Sequence, residues 1–353
     1  MKAPRYLPSF LVVIAAASGA LGSACGGDET STTSASTGSS ATGTGGSGGD
    51  GGSGGQGGGA GGAGGGMGGA GGAGGGSAEC DNIPAGPFDP KLVLDVFDGS
   101  EDLAFDGKGK IAAKMKQSIV LADAAGTTTP LAMNVPQAYG LRYRPDGALV
   151  VALPNDGKVV QVSPEGMVTD LATNLIGPNG LYPDFDGNVW VTEIGVNRVS
   201  RINPNGSVDV IVTGQDAAQA NGVVLDAARK ILFFTNYGQG RIRRVNMSPG
   251  GDPTPKEVIV IPDSKLDGLV MDACGHLYVV DQGDSELFRV KLDAAGAAVG
   301  QEELLATFPQ NVANAQFGSG AGFDPKTLYL AGNPGEVYSV PVGVPGAPVP
   351  TPP

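Results

Sequence analysis

Between residues 80 and 341 the apolar positions fall in short runs: ALVVALP from Ala148, NVWVTEI from Asn188, ILFFTNY from Ile231 and LYVVDQ from Leu277. Each is rich in Val, Ile, Leu or aromatic residues and is bounded by Gly, Asn, Asp or Pro, the pattern of β-strands separated by tight turns. No segment is amphipathic over a length that makes a helix. The pattern predicts an all-β domain.

The runs repeat. QANGVVLDA at 219–227 and KLDGLVMDAC at 265–274 share a polar residue, a glycine, three apolar residues and an aspartate. The same motif recurs as EDLAFD at Glu101, YGLRYR at Tyr139, NGLYPD at Asn179, NGVVLD at Asn221, DGLVMD at Asp267 and NAQFGS at Asn314, at steps of 38, 40, 42, 46 and 47 residues. A period near forty residues with four strands per unit is that of propeller blades. In the unit at Asn179 the strands are GLYPDF, NVWVTEI, RVSRIN and SVDVIVT. Six units predict a six-bladed β-propeller. The last unit is one outer strand short, and a spare strand, KLVLDVFD, stands ahead of the first. Residues 92–98 are expected to complete the final blade and close the ring, because closure removes unpaired edges.

The innermost strand of a blade runs along the central channel, so equivalent positions converge on one channel mouth. The predicted ring is Glu101, Tyr139, Asn179, Asn221, Asp267 and Asn314. Five of these side chains carry an accepting oxygen and two are anionic. Mixed carboxylate and amide oxygens around one point suit a hard divalent cation such as Ca²⁺. The competing readings are a polar, water-filled channel without an ion, or Asn-Gly and Asp-Gly pairs that only mark turns. Asp146-Gly147, Asp186-Gly187 and Asn205-Gly206 lie between strands and need no role beyond the turn.

Outside this region composition changes the picture. Residues 1–24 combine Lys2 and Arg5 with the apolar run FLVVIAAASGALG and small residues before Cys25, the layout of a secretory signal peptide. LGSAC resembles a lipoprotein box, displaced in that Gly22 holds the place of its usual leucine; the expectation is lipidation at Cys25, with simple cleavage and release as the alternative. From Gly26 to Glu79, 27 of 54 residues are glycine, so the 25–79 stretch is expected to be a disordered tether that follows the anchor. Residues 342–353 are too rich in proline to pair in a sheet and are expected to form an extended tail.

SEDLAFD, GPNGLYPDFDGNVWVTE, ANGVVLDAARKILFFTN, LDGLVMDACGHLYVVD and ANAQFGSGAGFDPKTLYLAG resemble successive blade motifs of the senescence marker protein, gluconolactonase and luciferin-regenerating enzyme family, over residues 92–340. The resemblance implies that Glu101, Asn221 and Asp267 hold one divalent cation. It also implies that Asn179 lies beside the cation and contacts substrate or its water. GSEDLAFD resembles the related paraoxonase lactonases as well, but their Asn-Asp pair is Asn179-Gly180 here, and their histidine-based catalysis has no counterpart. The single histidine, His276, aligns with Asn188 in a hairpin turn at the far end of an inner strand.

The functional expectation is an exported, membrane-tethered, divalent-metal-dependent hydrolase of lactones or related esters, with Asp267 and Asn179 catalytic and Tyr139 and Asn314 shaping the substrate pocket. The alternative is a non-catalytic binding or scaffold propeller that keeps an axial ion. With Cys25 lipidated, Cys80 and Cys274 are left free to form a disulfide in an exported protein. Trp190, Phe233 and Phe234 are expected to pack between blades. The net charge is −13, with only four of 35 acidic residues before Cys80, and no basic patch with interleaved aromatics exists. Nucleic acid is therefore not an expected partner. The domain is expected to be a monomer.

Overall fold

The computed structural model describes residues 78–332 and 334–352. The expected signal peptide, the expected lipidation at Cys25 and the expected tether as far as residue 77 fall outside the described residues. Six four-stranded antiparallel sheets are arranged as the blades of a propeller. Their innermost strands are Leu103–Phe105, Leu141–Tyr143, Pro178–Pro183, Ala220–Asp226, Leu266–Met271 and Asn314–Phe317, in chain order from blade one to blade six. In blades two to six the strand next to the innermost one is buried at every position, as in Leu149–Leu153 and Leu277–Asp281. Such a strand is covered on both faces by neighbouring blades, which is why its sequence is a continuous apolar run rather than an alternating one. The outer strands, such as Val208–Thr213, are largely exposed.

A separate apolar cluster fills each of the six blade interfaces. Phe233 and Phe234 show how alternation builds them. Side chains of adjacent strand residues point to opposite faces. Phe234 packs with Trp190 of blade three, and Phe233 packs with Leu269 and Leu277 of blade five. Trp190 also donates from Nε1 to Asp184 Oδ2 at 3.1 Å, so these aromatics serve packing.

Blade six is completed by the strand Lys91–Asp95, which pairs antiparallel with Glu336–Pro341 from Lys91 opposite Ser339 to Asp95 opposite Glu336. Leu94 and Phe97 from this segment enter the cluster between blades six and one, with Leu103, Phe323 and Tyr329. The chain before that strand runs against blades five and six. Cys80 is bonded to Cys274, and Glu79 pairs with Lys326 at 2.7 Å. Arg289, fully buried, donates to Pro84 O at 3.0 Å.

Residues 342–352 form no strand of a blade, as their prolines require, yet they are packed rather than free. Val342 and Val344 are buried, Ala273 N donates to Pro345 O and Ala347 N donates to Met271 O, both at 2.9 Å. The segment ends with Thr351 beside Gly107 of blade one. It thus crosses the far mouth of the channel from blade five to blade one. Beneath it lies a cavity of about 60 Å³ lined by all six blades.

Removing residues 80–99 takes out the closing strand together with Leu94 and Phe97. Burial of two such side chains is worth roughly 3–6 kcal/mol, a large share of a typical domain's stability. The deletion variant is expected to lose its cooperative thermal transition, whereas the paired Cys80→Ser, Cys274→Ser variant, which removes the disulfide alone, keeps one. A deletion variant melting at the wild-type temperature overturns the closure.

Candidate functional site

At the mouth opposite the C-terminal segment, the inner strands of blades three, four and five each open with a β-bulge. The ladder register shifts between Pro178 and Leu181, between Ala220 and Val223, and between Leu266 and Leu269. The two residues in each bulge are the ring residue and its glycine. A bulge re-aims side chains at the rim of a sheet, and here it turns Asn179, Asn221 and Asp267 towards the axis.

The glycine of each pair is required by its neighbour. A Cβ on Gly140 would overlap the carbonyl oxygen of Asn179, one on Gly180 that of Asn221, and one on Gly222 that of Asp267. A Cβ on Gly268 would overlap Asn314. Ring residues of consecutive blades are therefore in contact around the axis. None of these four glycines has a positive φ, whereas the turn glycines Gly147, Gly187 and Gly206 stand at 85°, 82° and 85°. The same dipeptide thus serves two purposes: a left-handed turn outside, and room for a backbone at the axis.

Two threonines lock the bulges. Thr192 Oγ1 accepts from Gly180 N at 2.9 Å and donates to Asn221 O at 2.5 Å. Thr235 Oγ1 accepts from Gly222 N at 2.7 Å and donates to Asp267 O at 3.0 Å. Each hydroxyl ties its own bulge to the ring residue of the next blade.

Glu101, Asn179, Asn221, Asp267 and Asn314 are all buried. Asp267 has both carboxylate oxygens buried without a hydrogen-bond partner, and Asn221 Oδ1 is in the same state. Orphaned acceptors of this kind are costly in a folded protein. Burial pushes the Glu101 carboxyl up to about 7, helped by the neighbouring charge of Asp102. Burial, with the charges of Glu101 and Asp102, holds Asp267 well above the usual carboxylate range. Three unpartnered oxygens beside a second carboxylate are what a divalent cation satisfies, so the residues fit such an ion. Among the described residues no group of three or more His, Cys, Asp and Glu is arranged to hold a metal. The donor set here is different, with two carboxylates and amide oxygens.

Tyr139 is half-exposed at the mouth, and its hydroxyl is raised by burial and by the charges of Glu101 and Asp267. Tyr237 stands over the same pair. Its hydroxyl is pushed up to about 12 by burial, Asp267, Glu101 and Asp281, and it donates to Gln282 Oε1 at 2.6 Å. Tyr237 was not legible in the repeat because it lies in a short 3-10 turn, Tyr237–Gln239, after the strand that carries Asn236.

Two further charged residues escaped the motif reading. Asp102 takes the place that glycine holds in blades two to five, and it accepts from Leu103 N at 2.8 Å, Leu141 N at 3.0 Å and Arg142. Arg142 projects into the channel beyond the ring and also donates to Leu141 O at 2.6 Å. The Gln316 amide, assigned with its oxygen towards the guanidinium, accepts from Arg142 Nη1 and Nη2 at 2.9 Å. The signal in the sequence was a charge at a glycine position and an arginine inside an inner strand.

His276 lies in the turn after Met271, away from the ring. Its backbone N–H donates to Asp272 Oδ1 at 2.8 Å and its Nδ1 accepts from Leu292 N at 3.1 Å, a structural use of the ring.

No family model matches the chain, and no curated protein matches it. Among solved structures it is similar to a putative gluconolactonase, with 19% identity and a TM-score of 0.61 over 75% of this chain and 96% of that one. It is also similar to a luciferin-regenerating enzyme, with 14% identity and a TM-score of 0.59 over 76% and 99% of the two chains. A third likeness is to the calcium-binding protein regucalcin from Agrobacterium tumefaciens, with 18% identity and a TM-score of 0.58 over 76% and 99%. At these identities the likeness is one of fold.

Gly222→Ala presses a methyl group onto the backbone of Asp267 and Leu269. The expected cost is about 1–3 kcal/mol, with a loss of Ca²⁺ affinity because Asp267 must shift. Gly187→Ala meets no atom closer than 3.6 Å and strains only a turn, so it should lower the melting temperature and leave Ca²⁺ affinity unchanged. Equal affinity losses in the two variants, measured by calorimetry, contradict the packing role.

The raised carboxyls also fix a pH dependence. The folded, cation-free chain binds more protons at Glu101 than the unfolded chain between about 4.5 and 7. Stability should therefore fall as pH rises through that window, by on the order of 3 kcal/mol for Glu101. Calcium should reverse the fall at pH 8 and have little effect at pH 5. Melting curves with EDTA and with Ca²⁺ across this range provide the test; a cation-free chain that gains stability from pH 5 to 8 contradicts the arrangement.

Proposed function

We propose that the chain is an exported, lipid-tethered hydrolase of lactones or related esters that works with one divalent cation, Ca²⁺ being the ion that its oxygen donors suit. The observation that carries this reading is the buried, unpartnered carboxylate of Asp267 beside Asn221 Oδ1 and Glu101, at the end of the channel flanked by Tyr139 and Tyr237. The fold shared with a putative gluconolactonase and with calcium-binding regucalcin supports it. Export and tethering rest on the composition of residues 1–79, a charged and apolar leader followed by Cys25 and a glycine-rich stretch.

Glu101, Asn221 and Asp267 would hold the ion. A divalent cation held there would supply Lewis acidity toward a substrate carbonyl. The protein's own groups do the rest. Both oxygens of Asp267 are unpartnered, so this carboxylate is the group that would accept the proton of the attacking water. Asn179, held at the axis by its bulge, orients the substrate or water. Tyr139 and Tyr237 wall the mouth, and Asn314 closes the ring between blades five and one.

A panel of aldonolactones, acyl lactones and aryl esters, assayed on the full chain with and without EDTA, tests the activity. Hydrolysis that EDTA abolishes is expected; tight Ca²⁺ binding with no turnover across the panel selects the scaffold reading. At a hundred times its Kd, a bound ion adds about 2.7 kcal/mol of stability, and Asp267→Ala should lose both this increment and hydrolysis. Glu101→Gln should weaken both, Asn179→Ala should keep Ca²⁺ affinity and lower turnover, and His276→Ala should change neither. An Asp267→Ala chain that keeps the calcium-dependent shift and the hydrolysis would falsify the site. For the anchor, Cys25→Ser is expected to move the protein from the membrane fraction to the soluble one.

A further inference from the structure

The channel already contains a cation. Arg142 lies three residues beyond Tyr139 along its inner strand, a rise of roughly 7–10 Å. Its guanidinium reaches groups on three blades: Asp102 and Leu103 O of blade one, Leu141 O of its own blade two, and the Gln316 amide of blade six. The Arg142 and Asp102 side chains are 12% and 2% exposed, so solvent screens little of their charge.

Asp102 directly follows Glu101 and would be the third carboxylate of the site. It is turned away from the ring. Its Oδ1 accepts from Leu103 N and its Oδ2 from Leu141 N and Arg142, whereas both oxygens of Asp267 are left open. The mouth therefore presents Glu101 and Asp267, two negative charges once both are ionised, and the third carboxylate is balanced by an arginine fixed beneath it.

We infer that Arg142 sets the valence of the ion that the ring accepts: by neutralising Asp102 it holds the charge facing the mouth at −2, matched to a divalent cation. The inference rests on the cation reading of the ring. With Asp102 ionised, loss of the arginine charge leaves the same mouth at −3, which favours a trivalent ion. Across roughly 7–10 Å at an effective dielectric near 20, one unit of charge changes the relative affinity of a trivalent over a divalent ion by on the order of ten- to a hundredfold. Arg142 is a positioning residue in this role, since it acts through Asp102 and touches no ion.

The test is calorimetric titration of the full chain with Ca²⁺ and, separately, with La³⁺, Asp267→Ala supplying the background from surface carboxylates. Arg142→Gln is expected to raise the La³⁺ to Ca²⁺ affinity ratio ten- to a hundredfold, and Asp102→Asn, which leaves the arginine charge unopposed, to lower it by a similar factor. The double variant Asp102→Asn, Arg142→Gln restores the net charge of −2 and should return the ratio to the wild-type value. A purely structural role for Arg142 would lower both affinities together and leave the ratio unmoved, and that result overturns the inference. If Arg142→Gln does not fold, the opposite shift in Asp102→Asn and its reversal in the double variant still decide. Wild-type protein that binds neither ion sinks the cation reading itself, an outcome distinct from binding with an unchanged ratio.

Discussion

Six inner strands crowd one axis, and the space between their backbones is the constraint from which the site follows. Where blades two to five approach the axis, the carbonyl or side chain of one blade's ring residue occupies the place of a Cβ on the preceding blade. Glycine is the one residue that allows this approach at an ordinary backbone conformation. The bulges then have no choice of direction. With the glycine pressed against the next blade and the bulge hydrogen bonds held by Thr192 and Thr235 in blades three and four, the preceding side chain must point to the axis. Site geometry and blade packing are one arrangement, so the polar ring is preorganised by the same contacts that close the propeller.

Burial at the axis sets the electrostatics. The desolvation that raises Glu101 and Asp267 is a penalty carried by the folded chain whenever no cation is present. In the proposed function a bound ion would offset this penalty, which would make affinity and pH dependence two views of one quantity. Asp102 would add to the penalty, and the structure limits this by giving it a guanidinium and two backbone N–H donors. Distribution of charge along the channel axis, more than its amount, separates an ion site from a buried ion pair.

The architecture was legible because a propeller writes its period into the sequence: polar residue, glycine and apolar strand recur once per blade. Closure by the segment containing Leu94 was legible for the same reason, since one repeat lacked its outer strand. The ring positions could be named from the repeat, but not what the glycine beside them does. Asn221-Gly222 and Asn205-Gly206 read alike in sequence and differ only in φ and in what lies next to the missing Cβ. Arg142 and Tyr237 stayed hidden because their roles depend on long-range contacts, with Asp102 across two blades and with Gln282 across 45 residues. The C-terminal segment was expected as an extended tail, whereas Gly346 bridges to Asp272 and its fixed course over the far mouth depends on Met271 and Ala273 of blade five, which composition cannot show.

The two ends of the described chain give the propeller a direction. Cys274 and Lys326 both lie in turns between an inner strand and its neighbour, at the end of the inner strand opposite the ring. Cys80 and Glu79 are fastened to these turns, so the chain leaves the domain from Ala78 on the face away from Glu101 and Asp267. Residues 342–352 cover the channel on that same face, and Arg142, Asp102 and Gln316 block it from within. The opposite end of the channel is flanked by Tyr139 and Tyr237. The contacts that fasten Cys80 and Glu79 are separate from those that shape the ring.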